Sequence, residues 1–327
     1  MMAHMRYRKL GRTGFEVSEI GYGAWGIGGV QWLGGTDHES IRALRRAIEL
    51  GLTFIDTALA YGDGHSERLV GDIVRETHNP IRVATKVPPK NLLWPDRRGI
   101  GIDKVFPYDY VIHATETSLK NLALDTIDLQ QLHVWNPEWT GREEWRRAFE
   151  DLKKSGKVRA VGVSINDHDP DSALELMKTG LVDTVQVIYN IFEQGPERSL
   201  FPLAEKLNIG VIARVPLDEG GLTGAITEDT KFAPGEFRAQ YFRGDRKKQV
   251  VEHVNALQRD LDGVAGGPLA EIALRFAISH PAVSTVIPGM RRVRNAEANM
   301  RVSEKGPLDE RTLAVLRRHA WARNFYD

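Results

Sequence analysis

The sequence predicts an α/β chain folded as a (β/α)8 TIM barrel, with an N-terminal β-hairpin and a long loop after strand seven. Three observations predict it. Eight short apolar runs alternate strictly with amphipathic helical stretches along 327 residues. Each run is apolar almost throughout, as a parallel strand covered on both faces must be. Polar residues cluster at the C-terminal ends of the runs, where barrels of this class build their sites.

Taken in order, "MRYRKLGRTGFEVSEI" has turn signals at Gly11 and Gly14 and reads as a hairpin plugging the barrel floor. "VSEIGYGAW" is the first strand. "DHESIRALRRAIELG" follows with Ile41, Leu44 and Ile48 on one face, Asp37 as N-cap and Gly51 as stop. The other strands are "TFIDT", "IRVATKV", "IDLQQLHVW", "VRAVGVS", "DTVQVIYN", "IGVIARVP" and "VSTVIPG". Helices are expected over "HSERLVGDIVRET", with Ser66 or Asp63 capping, over "YDYVIHATETSLKNL" and over "GREEWRRAFEDLKKSG". Further helices are expected at Asp171–Thr179, Pro196–Leu207 and Pro268–Ser279. One excursion, residues 217–267, breaks the rhythm. It carries Gly220, Gly221 and Gly224, the run "FRAQYFRGDRKK", and a helix with Val250, Val254, Leu257 and Leu261 on one face. A loop of this length inside a compact domain usually serves function. Residues 1–327 read as one domain, with 1–5 a cloning scar or disordered leader.

Composition narrows the function. Lys plus Arg and Asp plus Glu are 44 each, so the formal charge is zero and neither a nucleic-acid nor a membrane partner is expected. The absence of cysteine removes disulfides, thiol nucleophiles and Cys-ligated metals. No run is long enough to span a bilayer, and "MMAHMRYRKLG" has no apolar core for a signal peptide, so a cytoplasmic protein is expected. "NDHDPDS" lacks the central Gly and terminal Glu of a calcium loop and reads as a polar turn capping the next helix; no metal is expected. "GYGAWG" fits G-x-G-x-x-G, but a dinucleotide fingerprint needs a helix to begin there. The glycine-rich "IGGVQWLGGTD" follows instead, so Gly21–Gly26 reads as a strand end and loop, with Trp25 and Trp32 facing an apolar pocket.

Six consecutive strands bring polar groups to one rim. Strand two ends with Asp56, with Tyr61 just beyond. Strand three ends with Lys86 and strand four with His133. Strand five ends with Ser164, followed by Asn166. Strand six carries Gln186 and strand seven Arg214. Any one of these could be a snorkelling surface group or a hydrogen-bonded core filler. Together they imply pairing, because a lone buried Lys86 or Asp56 costs several kcal/mol. A tyrosine with a pKa near 10 is a poor acid at neutral pH, and a nearby cation lowers it. Lys86 can supply that cation, Asp56 can hold Lys86 protonated, and His133 can donate to the same substrate oxygen. The set suits protonation of an oxygen that gains charge as hydride arrives, and hydride requires a nicotinamide cofactor.

These residues resemble the aldo-keto reductase superfamily. "FIDTALAYGDGHSE", "VATKV", "QQLHV", "GVS", "VQVIYN", "GLTG" and "VIPG" occur in that family's order, across roughly Arg6 to Arg301. The resemblance implies a barrel reductase of aldehydes and ketones that uses NADPH/NADP, with NADH possible. Its catalytic set would be Asp56, Tyr61, Lys86 and His133, with Tyr61 the general acid. It further implies that Ser164, Asn166 and Gln186 meet the nicotinamide carboxamide and that Leu217 to Leu222, with Gly221, wrap the pyrophosphate. Gly289 to Asn299, with Arg291, Arg292 and Asn295, would meet the adenosine phosphate and adenine. Gly23, Ala24, Trp25, Asp56, Arg214, Val215 and Pro216 would complete the cofactor site. The substrate wall would be Trp25, Trp32, Tyr61, Trp94, His133 and Trp135, with Phe192 beside them, favouring apolar or aromatic carbonyl compounds. Three positions depart from the family pattern. Ile165 separates Ser164 from Asn166, Arg214 stands where an aromatic usually stacks, and Ala298 stands where a Glu is common. Two other readings compete: an NADPH-binding regulatory subunit with little turnover, and a barrel aldolase forming a Schiff base on Lys86.

Overall fold

The computed structural model describes residues 5–326. Of the expected leader, residues 1–4 lie outside the described residues, while Met5 is buried against Gly51. β1 (Tyr7–Lys9) and β2 (Glu16–Ser18) form an antiparallel hairpin. A 3-10 turn over Gly11–Thr13 joins them, and Gly14 sits at a φ of 77°, a left-handed conformation that glycine adopts freely.

Eight parallel strands follow: β3 (Tyr22–Gly23), β4 (Phe54–Asp56), β5 (Arg82–Val87), β6 (Ile127–Leu132), β7 (Val158–Ser164), β8 (Thr184–Ile188), β9 (Gly210–Arg214) and β10 (Val283–Val286). They pair in sequence order, and bridges from Ile20 to Val286 and from Gly23 to Gly289 join the two ends. β3 has only two residues, shorter than the run "VSEIGYGAW" suggests. The hairpin seals the barrel floor. Its Leu10, Phe15 and Val17 pack on Phe54, Ala84, Leu129, Ala160 and Ile212 from inside the barrel. The larger core lies between the strands and the surrounding helices.

Helix boundaries differ from expectation where local hydrogen bonding decides them. Thr36, not Asp37, caps the helix Asp37–Glu49 by accepting from the Glu39 amide. The helix His65–Glu76 starts after left-handed Gly64 with no side-chain cap. Ser66, expected to cap it, instead donates to the Ala24 carbonyl at 2.9 Å and pairs with Thr57. The helices expected at Asp171 and Pro196 begin as 3-10 turns, Pro170–Ala173 and Gly195–Glu197, and turn α-helical only at Leu174 and Leu200. No side-chain cap holds the turn after "NDHDPDS"; Asp167 is paired with Arg214 instead.

The excursion after β9 contains a kinked 3-10 segment, Asp218–Thr223, a short helix, Phe237–Tyr241, and the helix Arg246–Leu261, which buries Val250, Val254, Leu257 and Leu261. Beyond β10 come the helices Val293–Met300, Val302–Lys305 and Glu310–Arg317, and a tail over Trp321–Tyr326.

Candidate active site

Pairing in register puts the rim residues side by side. Asp56 lies opposite Gly23 and Ala84, Lys86 opposite Gln131, and Ser164 opposite Gln186. Lys86 is fully buried, and its ammonium donates to Asp56 Oδ2 at 2.5 Å, to the Thr57 carbonyl at 2.8 Å and to the Tyr61 hydroxyl at 3.2 Å. An ammonium has three donors, and all three are used. Asp56 Oδ1 accepts from Gln186 at 2.8 Å and from Gln131 at 3.2 Å. The carboxylate is therefore held from both sides, as a buried charge must be.

The charges shift as follows. Burial alone would pull the Lys86 pKa down, but Asp56 and Tyr61 outweigh it and hold Lys86 above the ordinary lysine value. Burial pushes Tyr61 up; Lys86 and Arg214 pull it down, Asp56 pushes with burial, and the sum stays above the ordinary tyrosine value. Lys86 lowers the Tyr61 pKa as expected, but desolvation of the phenol is the larger effect. His133 is held well below its usual range by burial, then by Lys86 and Arg214, so its ring is neutral near pH 7. That ring lies edge-on to Tyr61, with centroids 5.6 Å apart, and to Trp94 at 5.8 Å. His133 Nδ1 is buried with no hydrogen-bond partner among the described residues.

Two glycines set the height of Tyr61. A Cβ on Gly28 would lie 2.9 Å from the Tyr61 backbone, and one on Gly62 would lie 2.0 Å from the Gly28 carbonyl oxygen. The loop after β3 therefore rests directly on the loop carrying the phenol. The next helix fixes its far side, because the Ser66 amide donates to the Tyr61 carbonyl at 3.1 Å.

Above this set opens a cavity of about 940 Å³. Of the predicted residues, Gly23, Ala24, Trp25, Trp32, Asp56, Tyr61, Trp94, His133, Ser164, Asn166, Gln186, Arg214, Val215, Pro216, Leu217, Gly289, Arg291, Arg292 and Asn295 line it. Five others do not. Lys86 stands behind Asp56 and Tyr61. Gly221 is backed by Asp218 and Val250, Leu222 is fully buried in the core, and Asn299 is buried on its own helix. Trp135, expected on the substrate wall, turns outward and packs edge-to-face on Trp139 and Trp145. Phe192 lies beside Trp321, also away from the cavity.

Glu219, Gly220 and Met290, inside the two expected ranges, line the cavity as well, and the structure adds two wall residues that the sequence did not suggest, Phe237 and Tyr326. Phe237 packs on Trp25 with centroids 4.8 Å apart, and its amide donates to the Gln31 carbonyl, so the loop after β3 meets the excursion after β9. Gln131 was also missed, although "QQLHV" places it two residues before His133.

The cavity wall has features that fit a long, partly anionic ligand. Arg214 is held by Ile165 and Asp167, yet its Nε is buried without a partner among the described residues. At the other end Arg291 donates to the Trp32 and Leu33 carbonyls. Burial first, then Arg238 and Arg292, hold its pKa below the usual value, with Glu236 opposing them. A Cβ on Gly289 would meet nothing within 4 Å, so backbone is exposed to the cavity there. These residues fit a nicotinamide dinucleotide.

The aldo/keto reductase family model matches residues 19–320. The chain belongs to the aldo/keto reductase family. It is 33% identical to the aldo-keto reductase YhdN of Bacillus subtilis over 303 residues, 90% of this chain and 87% of that protein. It is 31% identical to an NADH-specific methylglyoxal reductase of Escherichia coli, over 78% of this chain and 80% of that protein. An aldo-keto reductase from Bacillus halodurans, solved in its holo form, superposes with a TM-score of 0.77 at 27% identity, over 98% of both chains. The chain is therefore an aldo-keto reductase oxidoreductase, of a family that reduces small carbonyl compounds with NAD(P)H. Among the described residues no helix of this aldo-keto reductase is long and apolar enough to cross a membrane.

Proposed function

We propose that the protein reduces aldehydes and ketones with NADPH, with Tyr61 as the general acid. The observation that carries this reading is the set of three hydrogen bonds from Lys86. The phenol oxygen accepts from Lys86, so its own proton is left to point elsewhere, and Tyr61 lines the cavity. A carbonyl oxygen bound beside Tyr61 and neutral His133 would receive hydrogen bonds from both. A nicotinamide bound in the cavity supplies the hydride. As negative charge grows on the substrate oxygen, Tyr61 gives up its proton, and Lys86 stabilises the tyrosinate left behind. Burial keeps that proton on Tyr61 until the substrate oxygen becomes basic enough to take it.

Ser164, Asn166 and Gln186 would orient the carboxamide. Gln186 gives its amide nitrogen to Asp56, which leaves its carbonyl oxygen to accept. Arg214 would lie against the nicotinamide with its planar guanidinium. Arg291, Arg292 and Asn295 would meet the phosphate end, and this cationic rim supports NADPH over NADH. Trp25, Trp32, Trp94 and Phe237 favour apolar or aromatic carbonyl substrates. A Schiff base on Lys86 is disfavoured, because Lys86 is held protonated and lies behind the cavity wall.

The test is Tyr61→Phe. It should bind NADPH with unchanged fluorescence change while turnover of aromatic aldehydes falls by about 10²–10⁴, the usual worth of a general acid. Full turnover in this variant would remove Tyr61 from the role. Parallel NADPH and NADH titrations of the wild type decide the cofactor preference.

A further inference from the structure

The tail Trp321–Tyr326 has no part in the reaction above, yet it is built into the cavity. Tyr326 lines it, and its hydroxyl donates to Glu219 Oε1 at 2.8 Å. Arg323 forms a buried ion pair with Asp218, and Tyr241 donates to the same carboxylate at 3.0 Å. Asp218 and Glu219 are adjacent, with φ values of 50° and 53°, and Val215 three residues earlier is at 54°. Side chains rarely adopt these left-handed values, and such conformations persist where surroundings over-determine them. Here Asn190 holds the Val215 carbonyl, while the tail, with Tyr241, holds Asp218 and Glu219. The tail is itself pinned to the barrel: the Trp321 amide donates to the Phe192 carbonyl at 2.9 Å, and Arg246 donates to the Phe325 carbonyl at 2.7 Å. The segment from Val215 to Gly224 is thus a strap along the cavity, with both of its acids tied down by the tail.

We propose that residues Trp321–Tyr326 are the clasp of this strap, and that Arg323 and Tyr326 are positioning residues whose contacts set how fast the dinucleotide leaves. The proposal rests on the reading above, in which a nicotinamide dinucleotide occupies the cavity that the strap lines through Val215, Leu217, Glu219 and Gly220. Opening the strap requires breaking the Tyr326–Glu219 and Arg323–Asp218 contacts, so their strength sets a barrier to release. The Tyr326 ring packs edge-on to Tyr241 with centroids 5.0 Å apart, so removing the hydroxyl alone leaves the wall in place.

The experiment is stopped-flow release of NADPH from the full chain, with melting curves as the measure of folding. Tyr326→Phe should release NADPH roughly threefold to tenfold faster at an unchanged melting temperature, the range of one net hydrogen bond. Arg323→Met should release it faster still. Should that variant fail to fold, Asp218→Asn with Arg323→Met removes both charges and tests the same contact. Unchanged release from folded Tyr326→Phe and from the charge-free pair overturns the clasp and leaves the reductase reading intact. A wild type that binds no nicotinamide dinucleotide overturns both.

Discussion

The two ends of the barrel are closed by opposite chemistry. At the floor, Leu10, Phe15 and Val17 from one hairpin fill the strand interior with hydrocarbon. At the top, strands of the same barrel carry Asp56, Lys86, Gln131 and Gln186, buried polar groups that hold one another, with Arg214 beside them held by Ile165 and Asp167. The floor needs only volume and apolar surface, so a contiguous segment can supply it. The top needs each donor matched to an acceptor at hydrogen-bond distance, and its cover comes from loops near residues 30, 220 and 237 and from the tail at 326. The floor therefore contributes stability without chemistry, whereas at the top the two depend on the same groups. Each end should fail in its own way.

The largest effect should come from Lys86→Met. It removes the cation behind Tyr61 and strands Asp56 in the core. Turnover should fall by about 10³ or more, and stability by about 3–5 kcal/mol, the usual cost of breaking a buried pair. A denaturant titration and a steady-state assay on the same sample read both. Next comes Phe15→Ala at the floor. It should cost about 3 kcal/mol of stability by cavity formation while leaving kcat per folded molecule unchanged. A fall in kcat at temperatures where the variant is fully folded would show that the ends are coupled.

The contrast also explains what the sequence could reveal. The floor was legible because it is local: Gly11 and Gly14 mark the turn, and the apolar residues lie beside it. Asp56, Lys86 and His133 were legible because a polar residue ending an apolar strand is anomalous and β pairing carries it to the rim. Trp135 misled because an aromatic just past a strand end can turn to either side, and the competing pull is the helix-layer cluster of Trp139 and Trp145. Tyr326 and Phe237 left no signal, since no periodicity links them to residues so distant in the chain. The pull of Lys86 on Tyr61 is legible because charge partners can be read from the strand pattern, whereas the opposing desolvation is not, because it depends on everything packed around the phenol.

A smaller effect tests how tightly the top is built. Gly28→Ala pushes a methyl group against the Tyr61 backbone, which must shift to admit it. Misplacing the phenol without deleting it should lower kcat by about 10–100-fold, since catalysis is sensitive to ångström-scale displacement. NADPH affinity should change little. Wild-type kcat in this variant would mean that the loop yields and Tyr61 does not.

The smallest effect should appear as pH dependence, and it should come from the top alone. Burial raises the Glu219 pKa from 4.5 to about 7; the Tyr326 hydroxyl opposes this, Asp218 adds to it, Arg214 opposes it and Asp167 adds to it. In the unfolded chain the carboxyl ionises near its ordinary value, so between roughly pH 4.5 and 7 the folded state holds a proton that the unfolded state has lost. Where the folded state binds more protons, stability falls as pH rises. Below that window both states are protonated and Glu219 carries no penalty; above it the penalty is complete, at about 1–3 kcal/mol. Glu219→Gln keeps an acceptor for Tyr326 and cannot ionise. Its stability relative to wild type should therefore rise from pH 5 to pH 8, measured by denaturant titration at each pH. A parallel pair of curves would show that Glu219 ionises in the folded protein at its ordinary value, and that water reaches the strap more freely than its burial implies.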